Sequence, residues 1–523
     1  MSNKLMYLYG ASVQGIQDFI FKTNKLKEIV GASELVERIC TDQFKEVAGV
    51  KIAGNENVIT TAAGNIKYLF DDEDKCRKLV RQFPKTIMEY APGITISQAV
   101  VKVEENLSTN HLNELEQRLK AQRNKPVVDV QKGLLITERS RRTGLPAIQR
   151  DSFLDQATAC KQDAVRKHYG KTNESSRGTL AQKFLSPKHF SDKENSKVLF
   201  EYESDKLTKD DDKSYIAVIH ADGNNLGRII QQLGKNLTKD SDPNYIKDAY
   251  RNFSLAIDEA TKQAAQHAFY ETFGKLLKKQ TDNKKTTIPF RPIVLSGDDL
   301  TVLCEARYAV PFTKAFLDKF EETSKKQIQE KLIDQGFQLK IERLTACAGI
   351  AFIKNKYPFY YAVQLAEGLC SAAKKESKRT IENPENKDVP SSLAFYKVES
   401  SFHTSYGEIK ERVLTTPTDI NFCYGPYYTD SNKENPKISE LENMVATIQQ
   451  ADAPAAQVRK WLNLVHKNGT EAENFMKRTI QVASDKTGKS IVEALKLETP
   501  IKSGKTHLYD VVSLASLTSK KEN

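Results

Sequence analysis

Ser296-Gly297-Asp298-Asp299 sets two adjacent carboxylates at one point of an apolar stretch, RPIVLSGDDLTVLCEA, and few folds have a use for that. Ile293, Val294 and Leu295 precede the tetrapeptide, and Leu300, Val302 and Leu303 follow it. Two short apolar runs joined by Gly-Asp predict a β-hairpin. Its tip pushes both carboxylates outward. Adjacent carboxylates repel, so they sit best in water or around a divalent cation. A solvated turn satisfies the pattern as well as a cation site does, because Asp-Gly is common turn chemistry.

A second stretch bears on that choice. Residues 214–227 read SYIAVIHADGNNLG. Tyr215 to Ile219 predicts a buried strand that ends at Asp222-Gly223, and Leu226 to Ile230 opens a helical pattern. An Asp at the end of a central strand can face a hairpin on the neighbouring strand. Asp222, Asp298 and Asp299 would then hold two magnesium or manganese ions. That arrangement serves nucleotidyl transfer: one ion activates a hydroxyl and the other steadies the leaving pyrophosphate.

ADGNNLG followed by SGDD resembles the second palm domain of the large subunit of type III CRISPR effector complexes, the CRISPR polymerase, whose palm is related to GGDEF nucleotide cyclases. Further elements follow in family order. Thr345–Ile353 resembles the next strand, Lys356–Lys374 the Pro-then-helix element ending in Ala-Lys, and Ser391–Ser401 the last core strand. Ser296 stands where the family has the first Gly of GGDD; it is small and leaves both carboxylates in place.

The N-terminal stretch SVQGIQDFIFKTNKLKEIVGAS is similar to the start of the family's first palm. An internal repeat supports this. Val58–Phe70 has the hairpin pattern of the SGDD segment, with Ala63, Gly64 and Asn65 opposite Gly297, Asp298 and Asp299, and Ser12 opposite Asp222. Gly93–Val101 is matched to Gly349–Ile353. The first half therefore reads as a palm without metal carboxylates, either a scaffold or a source of nucleotide contacts through Gly64 and Asn65.

The resemblance implies an α+β fold: two ferredoxin-like palm domains plus an α-helical C-terminal bundle. The expected division is residues 1–125, a degenerate first palm; 126–210, a linker or thumb-like region; 211–415, the second palm; and 420–523, the bundle. It implies ATP as substrate, cyclic oligoadenylates as products, and guide or target RNA and other CRISPR effector subunits as partners. Asp222, Asp298 and Asp299 become the metal-binding and catalytic residues, and Gly223, Asn224, Asn225, Ser296 and Gly297 shape the substrate site. Lys374 contacts the nucleotide triphosphate; as a plain helix residue it would instead be a favourable cation at a helix C-terminus. Two other readings stay open. One is an RNA-binding structural subunit with an inactive palm, and the other is a GGDEF-like cyclic dinucleotide cyclase using GTP.

Composition sets outer bounds. The 523 residues carry 79 Lys and Arg against 68 Asp and Glu, a formal +11 that permits a polyanionic partner without demanding one. No apolar run is long enough to span a bilayer, and the expected location is cytoplasmic. The seven cysteines form no CxxC, so they read as reduced thiols. Many relatives carry a zinc-binding cysteine cluster between their palms; here residues 126–210 hold only Cys160. Arg141–Ile148 nonetheless resembles a segment of that region. No His-Asp dipeptide occurs, so the family's N-terminal HD nuclease is not expected, and the chain reads as a reduced form.

Elsewhere the expectations are local. Residues 112–119, 154–168 and 250–273 are helical. Lys171–Arg177 and Ser204–Lys213 are loops, and Lys275–Lys285 is a basic loop or a phosphate-contacting surface. Lys374 and Lys375 close the helix that begins at Pro358. Cys423–Tyr428 is a turn-rich hinge. Helices cover 437–450, 454–467, 470–484 and 488–497, and the tail from Ser516 is disordered.

Overall fold

A computed structural model describes residues 5–52, 54–62, 64–104, 106–125, 136–149, 152–168, 179–186, 188–189, 195, 197–201, 203–208, 215–237, 242–278, 286–337, 339, 341–381, 388–399, 405–429, 435–487 and 489–518. Ala63, Lys171–Arg177, residues 209–213 and 279–285 and the last five residues, all subjects of the expectations above, lie outside this set.

The chain opens with β1 (Met6–Gln14), α1 (Ile16–Phe21), α2 (Leu26–Arg38) and α3 (Phe44–Ala48). The hairpin β2 (Val58–Ala62) and β3 (Asn65–Phe70) follows, then α4 (Glu73–Tyr90), β4 (Thr95–Val103) and α5 (Thr109–Arg123). Next come β5 (Ala147–Gln149), β6 (Leu154–Asp155), α6 (Gln156–His168), α7 (Thr179–Lys183), β7 (Val198–Phe200) and α8 (Ser204–Leu207). The stretch expected to be a loop from Ser204 thus begins as one helical turn, closed by the fully buried Leu207.

The second series is β8 (Tyr215–Gly223), α9 (Leu226–Asn236), α10 (Pro243–Lys278), β9 (Thr286–Ile288), β10 (Phe290–Ser296), β11 (Asp299–Glu305), α11 (Ala309–Ile328), β12 (Ala346–Lys354), α12 (Phe359–Arg379) and β13 (Ser392–Lys397). After α13 (Tyr406–Ile409) and β14 (Tyr427–Tyr428), the chain ends in α14 (Ile438–Ile448), α15 (Ala455–Val465), α16 (Gly469–Thr487), α17 (Lys489–Ala494) and α18 (Leu508–Thr518).

Residues 1–207, 225–302 and 319–344 form one compact unit; residues 208–224, 303–318 and 345–523 form the other. In the first, one sheet has the order β2-β3-β1-β4, with every pair antiparallel. That is the ferredoxin-like order. Its core gathers Tyr9, Phe44, Phe70 and Phe83, with Tyr9 edge-on to Phe70 at 6.2 Å between ring centres and Phe44 edge-on to Phe83 at 6.0 Å. The long helix α10 buries alanines at short helical steps (Ala249, Ala256, Ala260, Ala264), which lets neighbours pack closely.

The other large sheet runs β10-β11-β8-β12-β13-β14. Its first four strands repeat the ferredoxin-like order of the first sheet; β13 adds in parallel to β12 and β14 adds antiparallel to β13. The fold is therefore α+β with two ferredoxin-like palm sheets, followed by a helical C-terminal region. There α14 buries Leu441, Met444, Val445 and Ile448, and α15 buries Val458, Trp461, Leu462 and Val465. The seven cysteines are all free thiols, and among the described residues no helix is long and apolar enough to cross a membrane.

Four expectations are corrected here. Tyr427 and Tyr428 are an edge strand rather than part of a hinge, because their backbone pairs with Ser392 and Leu393. The stretch from Ser516 is not disordered through Thr518: helix α18 buries Val511, Leu514 and Ala515, and Lys397 Nζ donates to Ser516 Oγ at 2.9 Å. Lys374 and Lys375 do not end their helix, since α12 runs on to Arg379 and buries Ser377 beyond them. Gly93 is not the counterpart of Gly349. Ser12 pairs with Ser97 and Gly10 with Ala99, while Asp222 pairs with Cys347 and His220 with Gly349. With Ser12 matched to Asp222, the residue equivalent to Gly349 is Ala99.

Candidate active site

Three local features place the acidic residues. The β10-β11 hairpin turns on Gly297 and Asp298, and Gly297 has φ +62, a conformation costly for a residue with a Cβ. Asp298 therefore sits at the tip and Asp299 opens β11. Asp222 lies at the end of β8, between β11 and β12 in the sheet order. All three carboxylates are half-buried, and each offers an oxygen within 4.8 Å of the others. Three carboxylates this close suit a hard divalent cation with oxygen ligands, which removes the repulsion among them.

Lys374 completes the cluster. Its ammonium forms an ion pair with Asp222 Oδ2 and donates to the Gly223 carbonyl at 2.8 Å. What brings it there is the close packing of α12 on β12. A Cβ at Gly349 would lie 1.9 Å from the Ala366 carbonyl oxygen and 2.5 Å from the Cys370 nitrogen, so only glycine allows the approach. Two residues before Asp222, His220 is buried. Burial pushes its pKa down to about 4, with Asp222 opposing and Lys374 reinforcing the shift, so it is uncharged at neutral pH.

The turn out of β8 is fixed by hydrogen bonds. Asn224 donates its backbone N–H to the Thr345 carbonyl at 2.8 Å and its Nδ2 to Thr345 Oγ1 at 3.0 Å. Thr345 in turn donates to the Val389 carbonyl at 2.5 Å. Asn224 Oδ1 is buried with no hydrogen-bond donor among the described residues. Asn225 adopts the left-handed conformation (φ 59) and begins α9, its carbonyl accepting from Arg228 and Ile229. Asn224 and Asn225 thus shape the loop after Asp222.

The structure brings Asp222, Asp298, Asp299 and Lys374 together, with Gly223, Ser296 and Gly297 beside them in the chain. Gly64 and Asn65 lie on the first sheet, at the tip of its own hairpin. Gly64 has φ +72 and its carbonyl accepts from Val13 N–H at 2.8 Å; Asn65 faces Ser12 across β1 and β3. Sequence reasoning missed Thr345, His220 and Gly349. Gly349 had a signal, because a glycine inside an apolar strand pattern marks close backbone approach.

A profile of the second palm domain of Cas10/Cmr2 matches residues 215–381, the stretch that contains the acidic cluster and Lys374. Over that stretch the chain is similar to a Cas10/Cmr2 second palm domain. No curated protein matches it in sequence. Among solved structures, the chain resembles the Csm1-Csm4 cassette in complex with cA3 at 12% identity and a TM-score of 0.50. The same cassette with one ATP matches at 10% identity and 0.51, and with pppApApA at 12% and 0.50. Each match covers 99% of this chain and 70% of the other. At such identities the likeness speaks for the fold, and the Cas10/Cmr2 palm is where the sequence itself agrees.

Proposed function

We propose that the chain is a metal-dependent nucleotidyltransferase that makes cyclic oligoadenylate-type second messengers from ATP, as an RNA-activated large subunit of a type III CRISPR effector. The observation that carries this reading is the meeting of Asp222, Asp298 and Asp299 on a Cas10/Cmr2 palm. The matched Csm1-Csm4 structures hold ATP, pppApApA and cA3, a series that fits stepwise joining of adenylates. The domain division that goes with the reading is a degenerate palm at 1–125, a linker at 126–210, the working palm at 211–415 and a bundle at 420–523.

Asp222 and Asp298 would hold two magnesium or manganese ions, with Asp299 as the remaining ligand. Bound there, the ions would favour deprotonation of an attacking 3′ or 2′ hydroxyl and offset charge on the departing pyrophosphate. Lys374 would take up the charge of the triphosphate, as a preorganised cation does. Ser296 and Gly297 leave the hairpin tip open to a nucleotide because they carry so little bulk. Gly223, Asn224 and Asn225 hold the loop after Asp222 in one conformation. Gly64 and Asn65 are assigned to nucleotide contacts from the first palm.

The test is to incubate the purified protein with each nucleoside triphosphate separately, with magnesium or manganese, and to identify products by mass spectrometry. Asp298→Ala/Asp299→Ala serves as control, and a parallel arm uses the co-purified complex with target RNA. A product from ATP that disappears in the control supports the reading. A product from GTP alone would favour a GGDEF-like cyclase. Silence in every arm, the RNA-loaded complex included, would leave an RNA-binding scaffold and overturn the enzyme.

A further inference from the structure

We infer that Lys374 competes with the divalent cation for Asp222 and yields it when a nucleoside triphosphate enters, so that metal and nucleotide bind cooperatively. This rests on the metal-site reading of the three carboxylates and adds an order of assembly to it.

The position of Lys374 is the first support. It lies inside α12, five residues before the helix ends at Arg379, so its charge does not answer the helix C-terminus. Its ammonium goes to Asp222 and to the Gly223 carbonyl instead. The Lys374 and Asp222 side chains are 19% and 36% exposed, which screens the pair less than an open surface would. Asp222 is also one of the three carboxylates whose oxygens converge. A cation seated among them must draw on Asp222, and an ammonium on the same carboxylate both uses up its charge and repels the cation.

The second support is what can move. Gly349 lets α12 lie directly on β12, with the Ala366 carbonyl against it, so the backbone at the root of Lys374 is held in place. The flexible four-carbon stem of the side chain is the free part. A triphosphate offers the ammonium several charged oxygens in exchange for one carboxylate. Once Lys374 turns to it, Asp222 is left for the cation. Because linkage is reciprocal, the cation must strengthen nucleotide binding by the same factor.

The experiment titrates Mn2+ into the full-length protein by calorimetry, alone and with an ATP analogue whose α–β bridge cannot be cleaved. For the unmodified protein the analogue should tighten Mn2+ binding about tenfold, within the usual range of coupling between sites. Lys374→Met should bind Mn2+ alone about tenfold tighter and lose most of that coupling. Lys374→Arg, which keeps the charge, should retain it; circular dichroism confirms that each variant is folded. If Asp298→Ala/Asp299→Ala abolishes Mn2+ binding while Lys374→Met binds no tighter than the unmodified protein, the competition is overturned and the metal site stands. If no form binds Mn2+ with or without the analogue, the metal-site reading falls and the competition with it.

Discussion

The Tyr427 hydroxyl donates a 2.8 Å hydrogen bond to Asp510 Oδ2, tying the edge strand β14 to the C-terminal helix α18. Burial pushes the Asp510 carboxyl up to about 7, although the Tyr427 hydroxyl and the Gly425 backbone both favour its charged form. Tyr406, Tyr424, Tyr509 and Cys423 lie around it; burial raises all four pKa values, so they stay neutral at physiological pH.

The sign of the pH dependence follows. The folded chain holds the Asp510 proton more tightly than the unfolded chain, so stability falls as pH rises from about 4 to about 7 and then levels off. The size is on the order of 4 kcal/mol across that window. Asp510→Asn keeps an acceptor for Tyr427 and has no proton to lose. Urea unfolding at a series of pH values should show the slope in the parent and a flatter profile in the variant. Equal slopes in both would rule out Asp510 as its source.

Gly349→Ala should be among the most damaging single-methyl changes in the second palm. The added Cβ meets backbone atoms of α12 and no flexible side chain, so the helix itself must shift. Overpacking of this kind costs about 1–3 kcal/mol and at times more. Gly49→Ala is the comparison, with φ +66 but open space around the Cβ; strain alone there costs about 1 kcal/mol. Midpoints of urea unfolding should rank Gly349→Ala well below Gly49→Ala.

Glu28 is almost fully buried and is satisfied from three sides. Arg142 Nη1 donates to it at 2.5 Å, Gln162 Nε2 at 3.0 Å and the Thr23 hydroxyl at 2.5 Å. Arg142→Met removes the partner charge and should cost about 1–2 kcal/mol, discounted because the arginine is 42% exposed. Adding Glu28→Gln should cost less than the two single changes summed, as it does for residues in direct contact. Additive costs would mean that the pair does not interact.

Manganese should stabilise the parent protein and leave Asp298→Ala/Asp299→Ala unaffected. At a hundredfold excess over the dissociation constant, binding to the folded state alone contributes about 2.7 kcal/mol. Without metal the double variant should be at least as stable as the parent, because it relieves repulsion among converging carboxylates. Its loss of turnover should reach at least a factor of about a hundred to a thousand, as for other preorganised electrostatic groups.

Local order was legible where a residue's partners lie nearby in sequence. Gly297-Asp298 between two apolar runs read as a hairpin because the turn is decided by its own φ angles. The helical faces of α14 and α15 read correctly because periodicity alone selects Leu441, Met444, Val445 and Ile448, or Val458, Trp461, Leu462 and Val465. Errors fell where distant contacts decide. Tyr427-Tyr428 becomes a strand only because β13 offers an edge, and α18 persists past Ser516 only because it has a surface to pack on. Matching Gly93 to Gly349 failed because strand register is set by pairing with β1 and β8, which a run of apolar residues does not encode.

The two ferredoxin-like palms were implied by the family resemblance; the sequence by itself determined the hairpin that presents Asp298 and Asp299 and the strand that ends at Asp222. These depend on turn chemistry and on the alternation of apolar residues over a few positions. Only the tertiary structure decided that the three carboxylates converge and that Lys374 reaches Asp222 across 152 residues of chain. Both depend on strand order and on how closely α12 lies on Gly349. Those are properties of backbone pairing and packing between segments far apart, and no local pattern carries them.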